Sequence, residues 1–365
     1  MYSRNTLLPM LIAIGALAQD TIYTFTPDKI SELGLYNTSN LAPFQVYDKT
    51  FHTVLGNSPT INNILNSSFP QFHEAAIFFS DSTLFVTSNQ YASKTKSPAT
   101  SNKAISITRL DKKNNSWSPT IIKPKGTLSL ANGGIKYKDG IVICDQGSLE
   151  TPGGLVFINA TAPYTTKTLI NHYYGMEFNS PNDVHLTKDG ALWFTDPSYG
   201  SWQGIRPQPK LPSQVYRYMP DTNDIRVVAD GLMEPNGITF SPDEKTAYIT
   251  DGMGNSTNPT APRTIYAYDV ITRAGQPSLT NKRVFAVPQT GLPDGIKTDA
   301  AGNVYAGCAD GVNVWNEGGM LIGKIAVSGG SANFVLGNQG DTTTVWLLNE
   351  KKLWQASLGT HHKVR

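Results

Sequence analysis

Six oxygen-bearing side chains stand at one position of a recurring pattern: Glu74, Asn132, Asn182, Asn236, Asp294 and Asn333. Each precedes an apolar run, a polar turn and a second apolar run. The pattern is plainest from Ser180 to Asp196, where Asn182-Asp183 leads into Val184–Leu186, Lys188-Asp189-Gly190 reverses the chain and Ala191–Thr195 returns. Such an alternation broken by Asp-Gly reads as a β-hairpin. Two of the six are carboxylates and four are amides. Hard oxygen donors without sulfur or a compulsory imidazole suit calcium, which takes 6–8 oxygens at about 2.3–2.6 Å in irregular geometry, whereas magnesium demands a near-ideal octahedron. Two carboxylates balance a divalent cation, and such a centre can polarise a carbonyl and orient a water, as ester or lactone hydrolysis requires. A serine-hydrolase elbow is not supported, because Gly-x-Ser-x-Gly is absent, and no Cys/His cluster has zinc spacing.

The elements that must position these residues follow from the spacing. The hairpins begin at intervals of 58, 50, 54, 58 and 39 residues. Four-stranded units of roughly 40–50 residues are β-propeller blades, so the expected fold is all-β: a six-bladed β-propeller with a central channel. Innermost strands line that channel, and equivalent positions converge at one mouth, which makes the six side chains a ring and the mouth a divalent-metal site. Asn-Gly and Asp-Gly are also ordinary turn dipeptides. What favours the ring is six oxygen side chains at one register, before the apolar strand and not after it. Asn132 is expected to donate a hydrogen bond to substrate. His73 and His185 adjoin ring positions, as structural imidazoles or as substrate contacts, and Tyr199, Asp251 and Trp202 are candidate wall residues. Ring closure is expected from an early strand, Phe44–Val54, paired with Val345–Leu358. Tyr91–Lys103 reads as an exposed insertion, while the segment through Pro212 and Asn255–Pro262 are long enough to cover the mouth.

One domain over residues 19–365 accounts for the chain. Its 32 Gly, 23 Pro and 10% aromatics fit an all-β protein, and no linker-like shift in composition divides it. A formal net charge of +2, from 30 Lys+Arg against 28 Asp+Glu with no basic patch, implies no nucleic-acid partner. Residues 1–18 read as a secretory signal, with Arg4, an apolar Leu7–Leu17 and Ala16-Leu17-Ala18 as the cleavage site; the run is too short to span a bilayer. Sequons at Asn37, Asn66, Asn114, Asn159 and Asn255 agree with a secreted, N-glycosylated protein. Cys144 and Cys308 end second strands of distant blades, so both are expected to be buried free thiols.

The segments Ser180-Pro181-Asn182-Asp183-Val184 through Leu192-Trp193-Phe194-Thr195-Asp196-Pro197-Ser198-Tyr199-Gly200, then Glu234-Pro235-Asn236-Gly237 and Leu292-Pro293-Asp294-Gly295, resemble the gluconolactonase/senescence-marker (regucalcin) family of six-bladed propellers. With the Glu74 and Asn132 hairpins the resemblance covers roughly residues 70–350. It is strongest toward the secreted fungal lactonohydrolases of aldono- and pantoyl-type lactones. It implies a calcium ion held by Glu74, Asn182, Asn236 and Asp294, a small lactone as substrate, and Asp294 as the base that activates water. The related serum paraoxonases carry His where this chain has Asn132, so a His-dependent mechanism does not transfer there. Two other readings stand beside it. One is a phosphotriesterase- or strictosidine-synthase-like enzyme, the latter of a kind that usually dispenses with the metal ring, so that four intact ligands argue against it. The other is a non-catalytic calcium-bound propeller that binds carbohydrate or protein, which the ring does not separate from a lactonase.

Overall fold

The computed structural model describes residues 21–24, 42–253, 261–339 and 342–359. The expected leader at 1–18, the sequons Asn37 and Asn255 and most of the 255–262 segment expected as a loop lie outside the described residues. Six blades, each built on four antiparallel strands, follow one another around a ring, and the fifth carries Phe44–Val46 and, parallel to it, Ile22–Thr24 at its outer edge. Their inner and outer strands are Glu74–Ser80 and Ser116–Ile122 (blade one), Ala131–Tyr137 and Thr166–Ile170 (two), Val184–Leu186 and Asp224–Ala229 (three), Pro235–Phe240 and Gln276–Ala286 (four), and Ile296–Thr298 and Leu321–Ala326 (five). Blade six takes Asn333–Gln339, Thr342–Asn349 and Lys352–Ser357 from the C-terminal part of the chain. The ring is therefore a six-bladed β-propeller, as the repeat predicted.

The second strand of each blade shows why the repeat folds this way. Thr83–Thr87, Gly140–Asp145, Leu192–Asp196 and Val304–Cys308 are buried at every position. A strand flanked by partners and covered on both faces by neighbouring blades has no solvent side, so its sequence is a continuous apolar run and not an alternation. Six hydrophobic clusters result, each straddling two adjacent blades. Phe194 and Tyr216 join Val142 and Leu155 between blades two and three, and Trp346 and Leu353 join Leu84 and Trp117 between six and one.

Closure differs from expectation. The strand that completes blade six is Thr60–Asn66, antiparallel to Lys352–Ser357 from Thr60↔Ser357 to Asn66↔Lys352. Phe44–Val46 instead adds a strand to the edge of blade five, opposite Gly323–Ile325. Thr50–Leu55 is a helix, and Phe51, Val54 and Leu55 are its buried face. Those three sit at i, i+3 and i+4, a helical period that reading the run as one strand overlooked. Tyr91–Lys103 is also more ordered than an open loop: Tyr91–Ala92 pairs with Lys103–Ala104 around a short 3₁₀ turn, Pro98–Thr100. Cys144 and Cys308 are buried free thiols. Among the described residues no helix is long and apolar enough to cross a membrane.

Candidate functional site

Five of the six register residues, Glu74, Asn132, Asn182, Asn236 and Asp294, line one cavity of about 320 Å³ at the channel mouth. The sixth, Asn333, stands behind it: its Nδ2 donates to Glu74 Oε2 at 2.5 Å and its Oδ1 accepts from the Phe334 amide at 2.8 Å. The ring of oxygens read from the repeat is thus one place in the fold.

Three devices hold it. Buried threonines at the ends of second strands donate to the ring carbonyl of the next blade: Thr87 to Asn132 at 3.0 Å, Thr195 to Asn236 at 2.5 Å and Thr250 to Asp294 at 2.8 Å. Glycine follows the ring residue where the neighbouring blade comes closest. A Cβ on Gly133 would lie 2.5 Å from the Asn182 carbonyl, and one on Gly237 would lie 2.6 Å from that of Asp294. Asn132-Gly133 and Asn236-Gly237 are accordingly the second and third residues of inner strands and not turns. Third, a strand-end aspartate clamps the loop that delivers each ring amide. Asp145 accepts from the amides of Ser129 and Leu130 at 2.9 Å each. Asp196 accepts from Asn179 at 2.9 Å and Ser180 at 2.7 Å, and Asp251 from Met233 at 3.0 Å and Glu234 at 2.7 Å. Burial pushes the Asp196 carboxyl up to about 7 against those amide bonds and the Arg206 charge.

The charge at the mouth is concentrated and desolvated. Burial raises the Glu74 carboxyl, with the charge of Asp294 next in effect. Burial raises Asp294 as well, opposed by hydrogen bonding with Glu74 and Asn236. Two buried carboxyls within reach of each other cannot both ionise cheaply without a cation. Three oxygens facing this place, Oδ1 of Asn182, Asn236 and Asp294, are buried with no hydrogen-bond partner. Buried acceptors left without donors are costly, and a cation is what such a set fits. No group of three or more His, Cys, Asp or Glu assembles as a metal site among the described residues, because the ring supplies two carboxylates and otherwise amides.

The remaining sequence candidates divide. His73 lines the cavity and its Nδ1 lies 2.7 Å from Glu350 Oε1. Its imidazole is raised overall: burial works against the charged form, but the bond to Glu350 and the charges of Glu74 and Glu350 outweigh it. Tyr199 and Trp202 line the cavity from the short helix Tyr199–Trp202, with ring centroids 5.8 Å apart. The Tyr199 hydroxyl donates to the carbonyls of Gly252 at 3.0 Å and Glu234 at 3.3 Å, so Tyr199 offers substrate its ring. His185 is not at this mouth. It lies three residues beyond Asn182, about 10 Å further along an extended strand, in the cavity at the opposite end of the channel beside Phe240. Burial holds its imidazole down at about 3, with Lys297 adding to the effect. Asp251 is likewise no wall residue, since its carboxylate is turned to the loop it clamps.

Four residues that shape the site escaped the sequence reading. Glu350 orients His73 and is itself held by Asn89 Nδ2 at 3.2 Å; it lies 277 residues from His73 and in no repeat register. Arg206, 6% exposed, pins the mouth segment by donating to the carbonyls of Asn179, Ser148 and Phe178 at 2.9, 2.6 and 3.0 Å. Asp145 and Asp196 share the register of Asp251, a repeat that was visible but not used.

Residues 100–344, more than half of the chain, match the SMP-30/gluconolactonase/LRE-like region. The chain belongs to that family. Within the family it is 36% identical over 216 residues to lactonohydrolase oryL of Aspergillus oryzae, a match covering 53% of this chain and 49% of that protein. It spans about half the length of the curated relatives it matches. The structure of a gluconolactonase from Xanthomonas campestris superposes with a TM-score of 0.66 at 24% identity, over 87% of this chain and 95% of that one. Regucalcin from Agrobacterium tumefaciens, described as a calcium-binding protein, superposes with a TM-score of 0.57 at 15% identity, over 83% and 97%. These likenesses establish the propeller fold of this SMP-30/gluconolactonase-like chain.

Proposed function

We propose that this SMP-30/gluconolactonase-like protein is a lactonase that opens a small lactone at the channel mouth, with a divalent cation, calcium by the donor set, held by Glu74, Asn182, Asn236 and Asp294. The observation that carries the reading is the convergence there of three buried side-chain oxygens without hydrogen-bond partners. Hard oxygens in irregular array suit calcium, and relatives named lactonohydrolase and gluconolactonase support the substrate class. When bound, the cation supplies charge that lowers the energy of the developing oxyanion. The chain's own residues do the rest. Asn132 donates its amide to a lactone oxygen and fixes its orientation. His73, held from behind by Glu350, contacts the substrate on the blade-one side, while Tyr199 and Trp202 form the opposite wall and shield it from water. Asp294 takes a proton from the attacking water; the ring C–O bond breaks, and the proton passes to the departing alkoxide to give a hydroxy acid. Proton transfer of this kind contributes about 10²–10⁴-fold.

Base titration at constant pH over a panel of aldono- and pantoyl-type lactones, with and without chelator, tests the reading. Glu74→Gln and Asp294→Asn should both weaken calcium binding. At saturating calcium Glu74→Gln should recover far more kcat than Asp294→Asn, and equal recovery would leave Asp294 a ligand only. Calcium binding with no turnover of any lactone would instead favour a non-catalytic carbohydrate- or protein-binding propeller.

A further inference from the structure

The channel has a second end. Beyond the ring the six inner strands enclose a cavity of about 430 Å³, on the opposite side of the propeller from the mouth. Its volume lies within the range of about 300–1,000 Å³ usual for small-molecule sites. Ile77, Phe78, Ile135, Leu186, Phe240 and Leu336 give it apolar walls. Three lysines from three blades also line it: Lys136 and Lys188 at exposed positions, and Lys297 half-buried with its ammonium near the buried Asp183 carboxylate.

The lysines there are unevenly matched: Lys188 has Glu244 and Lys297 has Asp183 within ion-pair distance, whereas among the described residues Lys136 has no carboxylate that close. Five groups other than His185, which is neutral at physiological pH, line the cavity with a formal charge: the three lysines, Glu244 and Asp299. The Asp299 carboxylate is taken up by the amides of Ala301 and Asn303, by Asn303 Nδ2 at 2.8 Å and by the Tyr305 hydroxyl at 3.0 Å. Glu244 accepts from the Lys188 amide at 3.1 Å and stands 3.9 Å from its ammonium. Lys297 approaches a carboxylate, Asp183 Oδ2, at 3.8 Å, too long for a hydrogen bond. The ammonium groups also donate to main-chain carbonyls: Lys136 to Phe79 at 2.8 Å, Lys188 to Pro242 at 2.9 Å and Lys297 to Ile296 at 3.0 Å. Each ammonium carries three N–H donors, so each keeps capacity for an anion.

An apolar bore with a cationic rim fits a ligand that is apolar along its length and negative at one end. We propose that this end of the channel binds an amphiphilic monoanion, a straight-chain alkyl carboxylate, with its chain against the Phe78–Phe240 wall and its carboxylate among Lys136, Lys188 and Lys297. The site is separate from the ring of Glu74 and Asp294, and the proposal does not depend on lactone chemistry.

Isothermal titration with sodium decanoate below its micelle concentration, in the presence of chelator, tests it. One equivalent should bind. Octanoate should bind about tenfold more weakly, the effect of two methylenes fewer, and decyltrimethylammonium should not bind. Lys136→Glu with Lys188→Glu, both at exposed positions, should weaken decanoate at least tenfold and leave lactone turnover as it was, which also shows that the variant folds. Trp202→Ala, at the other mouth, should leave decanoate binding unchanged. Absence of saturable binding, equal binding of the cationic detergent, or loss with Trp202→Ala and not with the lysine pair would each overturn the assignment.

Discussion

Glu74→Gln should make the chelated protein more stable at pH 8 and remove most of what calcium adds. Burial, with the Asp294 charge second, raises the Glu74 carboxyl above its ordinary value of 4.5. A raised carboxyl binds its proton more tightly in the fold than in the unfolded chain. Between the two values the fold therefore holds more protons, and stability falls as pH rises. The loss begins near pH 4.5 and is complete once the pH passes the folded value. Every tenfold by which the fold tightens that proton costs about 1.4 kcal/mol. Glutamine keeps an oxygen to accept from Asn333 Nδ2 and discards the charge, so the variant escapes this loss. Calcium acts in the opposite sense: a cation bound only by the fold adds about 2.7 kcal/mol at a hundred times its Kd, and a ring with one carboxylate fewer should gain much less. Thermal unfolding can be followed by the fluorescence of the buried Trp193 and Trp346, at pH 5 and pH 8, with chelator or with millimolar calcium. At pH 8 in chelator the variant should melt above the wild type by several degrees, at about 2–4 °C per kcal/mol for domains of 150–250 residues and somewhat less for this longer ring. At pH 5 the two should nearly coincide. Asp145 and Asp196 are also raised by burial and slope in the same direction, so the difference between variant and wild type is the quantity that isolates Glu74. A chelated variant that melts below the wild type at pH 8 would refute the argument.

Two further outcomes follow from the scaffold. Thr195→Val keeps the shape but leaves the Asn236 carbonyl and the Asp183 amide, 3.1 Å from the Thr195 hydroxyl, without that partner; denaturant unfolding should show a loss of about 1–3 kcal/mol and calcium titration a weaker site, whereas a loss confined to stability would separate the threonine from the ring. A chain begun at residue 57 retains the closing strand Thr60–Asn66 but uncovers the Leu321–Ala326 edge and the core under Phe51, Val54 and Leu55, so it should lose stability; one begun at residue 68 also exposes the edge of Lys352–Ser357 and should aggregate more strongly in size-exclusion chromatography; the reverse order would place closure elsewhere.

The sequence by itself determined the architecture and the ring. A six-fold repeat states the same local problem six times, and hairpins that cannot cover their own faces have few solutions except to stack in a circle. Because equivalent positions of such a circle meet at its axis, Glu74, Asn132, Asn182, Asn236 and Asp294 were legible as one site from their register. Period also held the information on Phe51, Val54 and Leu55, although a strand reading passed over it. What lay outside any period only the tertiary structure could decide. Glu350 meets His73, and Thr60–Asn66 rather than Phe44–Val54 closes the ring, because chain segments with no local tie are chosen by which edge and which cavity remain to be filled. The direction of a side chain along the channel was of the same kind. His185 and Asn182 are near neighbours in sequence, yet the inner strand carries one to each end of the bore, and Asp251 turns from the mouth because two amides of its own blade need an acceptor. Identity of residue and spacing fixed which oxygens could meet; packing between blades fixed what stands around them.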